Sequence, residues 1–264
     1  MRGERDGGRG PVVVFAPHPD DEVIACGGVI ARYAAAGVPV TIVFATDGSR
    51  SHSAVLGVHD DPTPEELAVI RRGEAEAAAK ALGLGPKDVV WLGHVDTLLS
   101  ATMPRFRAEV TALLRERADV AEVYFPHEVR ELNADHRLTG EAVADALAEL
   151  GLTPRLRRYV VWDEDTEAAF AFTNRVAPDR PCPEGERRAR TDVSAWLDRK
   201  RAALEEHRTQ VTLFSPAQRR PVVPEEFARR VLTRRAEEFW IVPGDMTPAF
   251  RHARPGAGPE GDGP

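Results

Sequence analysis

Along this chain the apolar residues gather into short β-branched runs separated by longer amphipathic stretches. Val12 to Ala16 is apolar at every position rather than at alternate ones, as expected of a strand buried on both faces of a parallel sheet. Glu22 to Ala36 then shows helical periodicity and closes on Gly37, a residue suited to the left-handed turn that ends a helix. The unit repeats. Val38 to Ala45 reads as a second strand, Glu65 to Leu82 as an Ala-rich helix ended by Gly83, and Asp88 to Leu92 as a third strand. Met103 to Arg117 is a helix, Val120 to Phe125 a fourth strand and Leu138 to Leu150 the helix after it. Strands that each feed a helix predict a mostly parallel α/β sheet with right-handed crossovers. Beyond residue 150 the pattern thins to a fifth strand at Tyr159 to Trp162, irregular or edge structure from Phe170 to Arg190 and a helix from Val193 to His207. A second helix near Pro224 to Thr233 and a strand near Phe239 to Val242 follow.

Composition narrows the class without naming an activity. A chain of 264 residues with 42% hydrophobic and 29% charged residues is an ordinary globular protein. We expect one domain over 11–252, between a disordered leader at 1–10 and a disordered Gly- and Pro-rich tail at 253–264. The net charge of -7 argues against a nucleic-acid surface, which needs a concentrated positive stripe. Cys26 and Cys182 lie in unlike contexts and predict no disulfide framework. The first ten residues lack the apolar core of a signal peptide. No apolar run approaches the roughly 18 to 20 residues that span a bilayer. The expectation is a cytoplasmic protein with no membrane partner.

The chemistry-bearing residues gather where strand one ends. Between Ala16 and the first helix stand His18, Asp20, Asp21 and Glu22, at the carboxyl edge where parallel sheets place their ligands. His18 and Asp21 are three residues apart and can face one point, supplying two of the three protein ligands that a catalytic zinc takes. Asp20, beside them but unspent, suits a general base. A competing reading makes Asp20, Asp21 and Glu22 cap and first-turn carboxylates that favour a helix N-terminus. Strand four returns His136 to the same edge as a third ligand, and Asp135 before it offers a carboxylate to orient ligands. His127 competes with His136 for that place.

Ala16-Pro17-His18-Pro19-Asp20-Asp21-Glu22 with Gly27-Gly28, Asp47-Gly48 after strand two, and Asp135-His136-Arg137 after strand four resemble the LmbE / PIG-L family of zinc-dependent N-acetylglucosaminide deacetylases. Arg71-Arg72-Gly73-Glu74 is similar to the family's Arg-x-x-Glu segment, and Lys200 to Gln210 to its late Lys, His, Gln segment. The resemblance implies a Rossmann-like, three-layer sheet flanked by helices. It implies one zinc per chain, held by His18, Asp21 and His136, with Asp20 as general base. The expected reaction is hydrolytic removal of an acetyl or other acyl group from an amino sugar or a glycoconjugate carrying one, of the thiol-biosynthesis or antibiotic-tailoring type. Asp47, Arg71 and Asn133 are the expected substrate contacts, and relatives often form closed rings of three or six.

One departure stands out. Many relatives read His-Pro-Asp-His where this chain reads Asn133-Ala134-Asp135-His136, and an amide cannot ionise. The acid role then falls to His207 or His127, with His207 taken as the catalytic candidate. Three alternatives stay open: a relative acting on a non-sugar or thiol-conjugate amide, a relative that binds metal without activity, and a magnesium-binding receiver-like signalling module. The last leaves His18 and His136 without a role.

Overall fold

A computed structural model describes residues 10–162 and 180–242. The expected tail, most of the expected leader and the first part of the Phe170 to Arg190 stretch lie outside them.

Strand β1 (Val12–Ala16) is buried at every position, and its alternate side chains enter two separate apolar layers. Val12, Val14 and Ala16 face helices α1 (Asp21–Ala35), α2 (Pro64–Leu82), α5 (Leu197–Glu206) and α7 (Glu225–Thr233). Val13 and Phe15 face α3 (Met103–Glu116) and α4 (Ala134–Leu150) on the other side. The result is the expected three-layer sandwich. Its seven-stranded sheet has the order β3-β2-β1-β4-β5-β7-β6. Strands β2 (Val40–Thr46), β3 (Val89–His94), β4 (Glu122–Pro126) and β5 (Arg155–Tyr159) continue β1 in parallel register. Strand β7 (Ala236–Ile241) runs antiparallel to β5 and to β6 (Arg187–Asp192). The chain leaves β1 in one direction for β2 and β3, and β4 returns on its other side, so the order reverses between β1 and β4. A crevice opens there at the carboxyl ends of the strands.

Three elements differ from the sequence expectation. Strand β5 is Arg-Leu-Arg-Arg-Tyr, not Tyr159 to Trp162, because its arginines find acids brought by the fold. Arg157 Nε donates to Glu122 at 2.6 Å and Arg158 Nε to Glu128 at 3.1 Å. Strand β6 agrees with the edge reading but runs past Arg190 to Asp192, and it is charged and largely exposed, the composition that discourages edge pairing. Helix α4 begins at Ala134 because Asn133 caps it, its Oδ1 accepting the Asp135 N–H at 2.8 Å. Asp135 and His136 therefore stand on the first helical turn.

Gly27 and Gly28 stand where α1 packs closely against its neighbours. A Cβ on Gly28 would lie 2.5 Å from Val193, and one on Gly27 3.0 Å from the Lys200 side chain. Lys200 and Glu237, both buried, form a 2.7 Å ion pair against this stretch of α1 (Asp21–Ala35). Lys200 Nζ donates to the Ile24 carbonyl at 3.0 Å, while Glu237 accepts the N–H groups of Gly28 at 2.7 Å and Val29 at 2.9 Å. Side chains inserted into a helix ladder need this kind of full pairing to be tolerated.

Candidate metal centre and active site

The turn after β1 carries His18 and Asp21, and the first turn of α4 carries His136. Across the β1–β4 crevice they meet. His18 Nδ1 and His136 Nε2 are 3.2 Å apart, and Asp21 Oδ2 lies 3.3 Å from the first and 3.1 Å from the second. Two imidazole nitrogens and a carboxylate oxygen thus form a nearly equilateral triangle with its atoms buried. A tetrahedral ion bonded at about 2.0–2.1 Å needs donors about 3.3 Å apart, so the triangle has the size of one face of such a site.

Each imidazole is backed by carboxylates on its far nitrogen. His18 Nε2 lies 3.3 Å from Asp135 Oδ2 and 3.2 Å from Asp96 Oδ1. His136 Nδ1 lies 3.2 Å from Glu131 Oε1, at ion-pair distance but without hydrogen-bond geometry. Carboxylates behind ligand imidazoles fix their orientation and raise their basicity. Burial works to lower the pKa of His136, but the Asp21 and Glu131 carboxylates outweigh it and raise the group to about 9. Burial likewise opposes ionisation of Asp21, yet the two imidazoles hold its carboxyl well below the usual range. The donor set and its backing fit a divalent metal.

Asp20 adjoins the triangle without belonging to it. Its backbone has φ 132° and ψ -27°, a conformation strained for any residue with a Cβ, and its side chain does not cap the helix it precedes. Burial pushes its carboxyl up to about 7, with the Arg71 guanidinium pulling the other way and Asp21 adding to the rise. Arg71 is itself buried. It donates to the Gly48 carbonyl at 2.9 Å and to the Pro19 carbonyl, and approaches Asp20 Oδ2 at 3.4 Å. Glu74, one turn on, accepts the Thr209 N–H at 2.8 Å and its hydroxyl at 2.6 Å.

A cavity of about 80 Å³ opens over these groups, bounded by His18, Asp20, Asp21, Arg71, Asp96 and Asn133 on its polar side. Val55, Trp162, Val222 and Val223 form an apolar wall. Val55 belongs to a π-helix, His52–Leu56, between β2 and α2. His52 pins it by donating through Nε2 to the Thr209 carbonyl at 2.9 Å.

The structure gathers His18, Asp20, Asp21, Arg71, Asn133, Asp135 and His136 into one place. It does not bring His207 to the cavity. That imidazole is fully buried behind Glu22, with Nε2 2.9 Å from Glu22 Oε1, and it does not line the cavity. His127 also points elsewhere: its Nε2 donates to Glu186 at 2.8 Å and its Nδ1 accepts the Val129 N–H at 3.1 Å. Asp47 spends Oδ1 on the N–H groups of Ser49 at 2.9 Å and Asp96 at 3.1 Å, tying the loops after β2 and β3 together. It borders a different cavity, of about 610 Å³. Asp96 and Glu131 were missed from sequence. For Asp96 a signal existed, since it follows β3 at the same sheet edge.

The sequence pattern that defines PIG-L, described as GlcNAc-PI de-N-acetylase, matches residues 13–147, more than half of the chain. The chain belongs to the PIG-L family. Family membership agrees with the site, because these deacetylases are metal-dependent and the His–Asp cluster is present. Among relatives, the 1D-myo-inositol 2-acetamido-2-deoxy-alpha-D-glucopyranoside deacetylase of Nocardia farcinica is 31% identical over 91% of this chain and 92% of its own. A probable N-acetyl-alpha-D-glucosaminyl L-malate deacetylase 2 of Bacillus anthracis is 28% identical over 88% and 95%. The N,N'-diacetylchitobiose deacetylase of Pyrococcus horikoshii superposes with a TM-score of 0.61 at 25% identity, covering 89% of this chain and 84% of its own. No helix among the described residues is long and apolar enough to cross a membrane.

Proposed function

We propose that this PIG-L member is a zinc-dependent hydrolase that removes the acetyl group from the nitrogen of an N-acetylated amino sugar or a small glycoconjugate carrying one. One observation carries the reading: the His18, Asp21 and His136 donors converge on a point, and the unspent Asp20 carboxyl shares their cavity. The names of the relatives supply the substrate class, since they are deacetylases of N-acetylglucosaminyl malate and of an inositol glucosaminide. Two imidazoles and one carboxylate form a donor set suited to zinc. A zinc ion bound there would supply Lewis acidity at the amide carbonyl and a water acidified from about 15.7 toward 7.

The chain's own groups do the rest. Asp20, raised to about 7, takes the proton of the attacking water and returns it to the leaving amine nitrogen, which cannot depart as an amide anion. Asn133 has Oδ1 occupied by the N–H groups of Asp135 and His136, while Nδ2 makes no bond to a described residue. It is left to donate a hydrogen bond to a substrate oxygen. With Asn133 unable to ionise and His207 out of reach, Asp20 serves as both base and acid.

The test pairs metal content by mass spectrometry with amine release from a panel of N-acetylated glucosaminides. About one zinc per chain, lost in His136→Ala, together with amine release from a panel member is the expected result. Zinc bound without release from any member counts against the activity; no zinc, even after it is added back, counts against the ligand set.

A further inference from the structure

We infer that Glu22 and His207 form a buried brace that holds the Asp20 backbone in its strained conformation, making His207 a positioning residue that never touches substrate. The inference deepens the proposed deacetylase reading and rests on it for its kinetic consequence.

Asp20 occupies the cap position of α1, where an aspartate normally turns its carboxylate onto the free N–H groups of the first helical turn. Here it does not. With φ at 132° the side chain is rotated away from the helix and into the cavity, where Arg71 lies 3.4 Å away. A carboxylate spent on capping has its lone pairs occupied and is a poor proton acceptor, so the strain is what leaves Asp20 available. Strained backbone persists only where its surroundings over-determine it.

The surroundings are visible atom by atom. The Asp20 N–H donates to Glu22 Oε2 at 2.9 Å, while its carbonyl accepts the N–H groups of Val23 at 3.0 Å and Ile24 at 2.9 Å. The residue is gripped on both sides. Glu22 Oε1 is in turn fixed by His207 Nε2 at 2.9 Å, and neither side chain has any exposure. His207 sits at the junction of α5 (Leu197–Glu206) and a short helix, α6 (Arg208–Val211), with its own carbonyl accepting the N–H groups of Gln210 at 2.9 Å and Val211 at 3.1 Å. An ordinary first-turn glutamate needs no such partner, because water completes its hydrogen bonds. A fully buried one does. A contact spanning 185 residues therefore determines how the residue beside the metal ligands presents its carboxylate.

The experiment compares His207→Leu, which removes the partner, with His207→Gln, whose amide can still donate to Glu22; His207→Asn stands in for leucine if that variant does not fold. Wild type and variants are assayed on one N-acetylglucosaminide, their zinc content is measured, and the leucine or asparagine variant is crystallised. A misplacement of about 1 Å costs on the order of hundredfold in rate. We expect kcat to fall about that far in His207→Leu with KM within about twofold and zinc retained, and the glutamine variant to recover most of the loss. In the crystal, Asp20 φ should turn negative and its carboxylate should swing onto the helix N–H groups. Unchanged kcat, a loss that tracks zinc, or a glutamine variant as poor as the leucine one would overturn the brace. If wild type releases no amine, the deacetylase reading fails separately, and an Asp20 backbone still at positive φ in the variant crystal overturns the brace by itself.

Discussion

Two clusters of buried charge sit along helix α1, and they differ in what their atoms are left to do. Near its middle, Lys200 and Glu237 satisfy each other, the Ile24 carbonyl and two helix N–H groups, so every charged atom of the pair already has a protein partner. At its N-terminus, Asp20 and Asp21 are equally buried, yet one carboxylate completes a donor triangle and the other stands in a cavity without capping its helix. Burial of charge is thus no sign of function. The sign is a buried polar atom with a partner position still open.

That contrast can be broken in a definite order. Lys200→Met removes one partner of a fully paired buried ion and should cost about 3–5 kcal/mol, a fall of roughly 6–20 °C in Tm, while the folded fraction keeps its turnover. A calorimetric scan showing no shift would place the pair among decorative contacts. Asp20→Asn keeps the shape and relieves a buried charge; stability should hold or rise, while kcat falls about 10³-fold, roughly 4 kcal/mol in the barrier. Unchanged turnover on a true substrate would remove Asp20 from the mechanism. Gly28→Ala presses a methyl group into Val193 and should cost about 1–3 kcal/mol by denaturant midpoint.

The smallest effect concerns protons. His136 is raised to about 9, so in metal-free protein near pH 7 it holds a proton that a metal must displace. Burial opposes the same rise at His18, but the Asp96, Asp135 and Asp21 carboxylates outweigh it there too, so zinc binding should release at least one proton, and its affinity should rise at least about tenfold, or 1.4 kcal/mol, per pH unit up to about 9. Calorimetry in two buffers of different ionisation enthalpy reads this directly; identical heats would mean the imidazoles are already neutral.

Much of the molecule was legible because its signals are local. The apolar run Val12 to Ala16, the glycines that end α1 and α2, and the recurrence of strand then helix depend only on neighbours in sequence. The convergence of His18, Asp21 and His136 was legible for a related reason: in a parallel sheet, residues just past strands one and four must reach the same edge. Strand β5 was not, since Arg155 to Tyr159 becomes a strand only after Glu122 and Glu128 are brought alongside its arginines. Nor was the place of His207, whose residue type suggests acid catalysis while the fold buries it behind Glu22, away from the cavity lining.

The sequence by itself determined most of the order of elements, the family and one trio, His18, Asp21 and His136, whose donor atoms the fold brings together. Only the tertiary structure decided how each buried charge is used: that Glu22 is held by His207 rather than by water, that Asp47 ties two loops together, that Asp96 and Glu131 stand behind the ligand imidazoles. Periodicity and capping are properties of adjacent residues, readable along the chain. Which acceptor a buried donor finds depends on what packs against it, and that is settled only when segments far apart in sequence exclude water together.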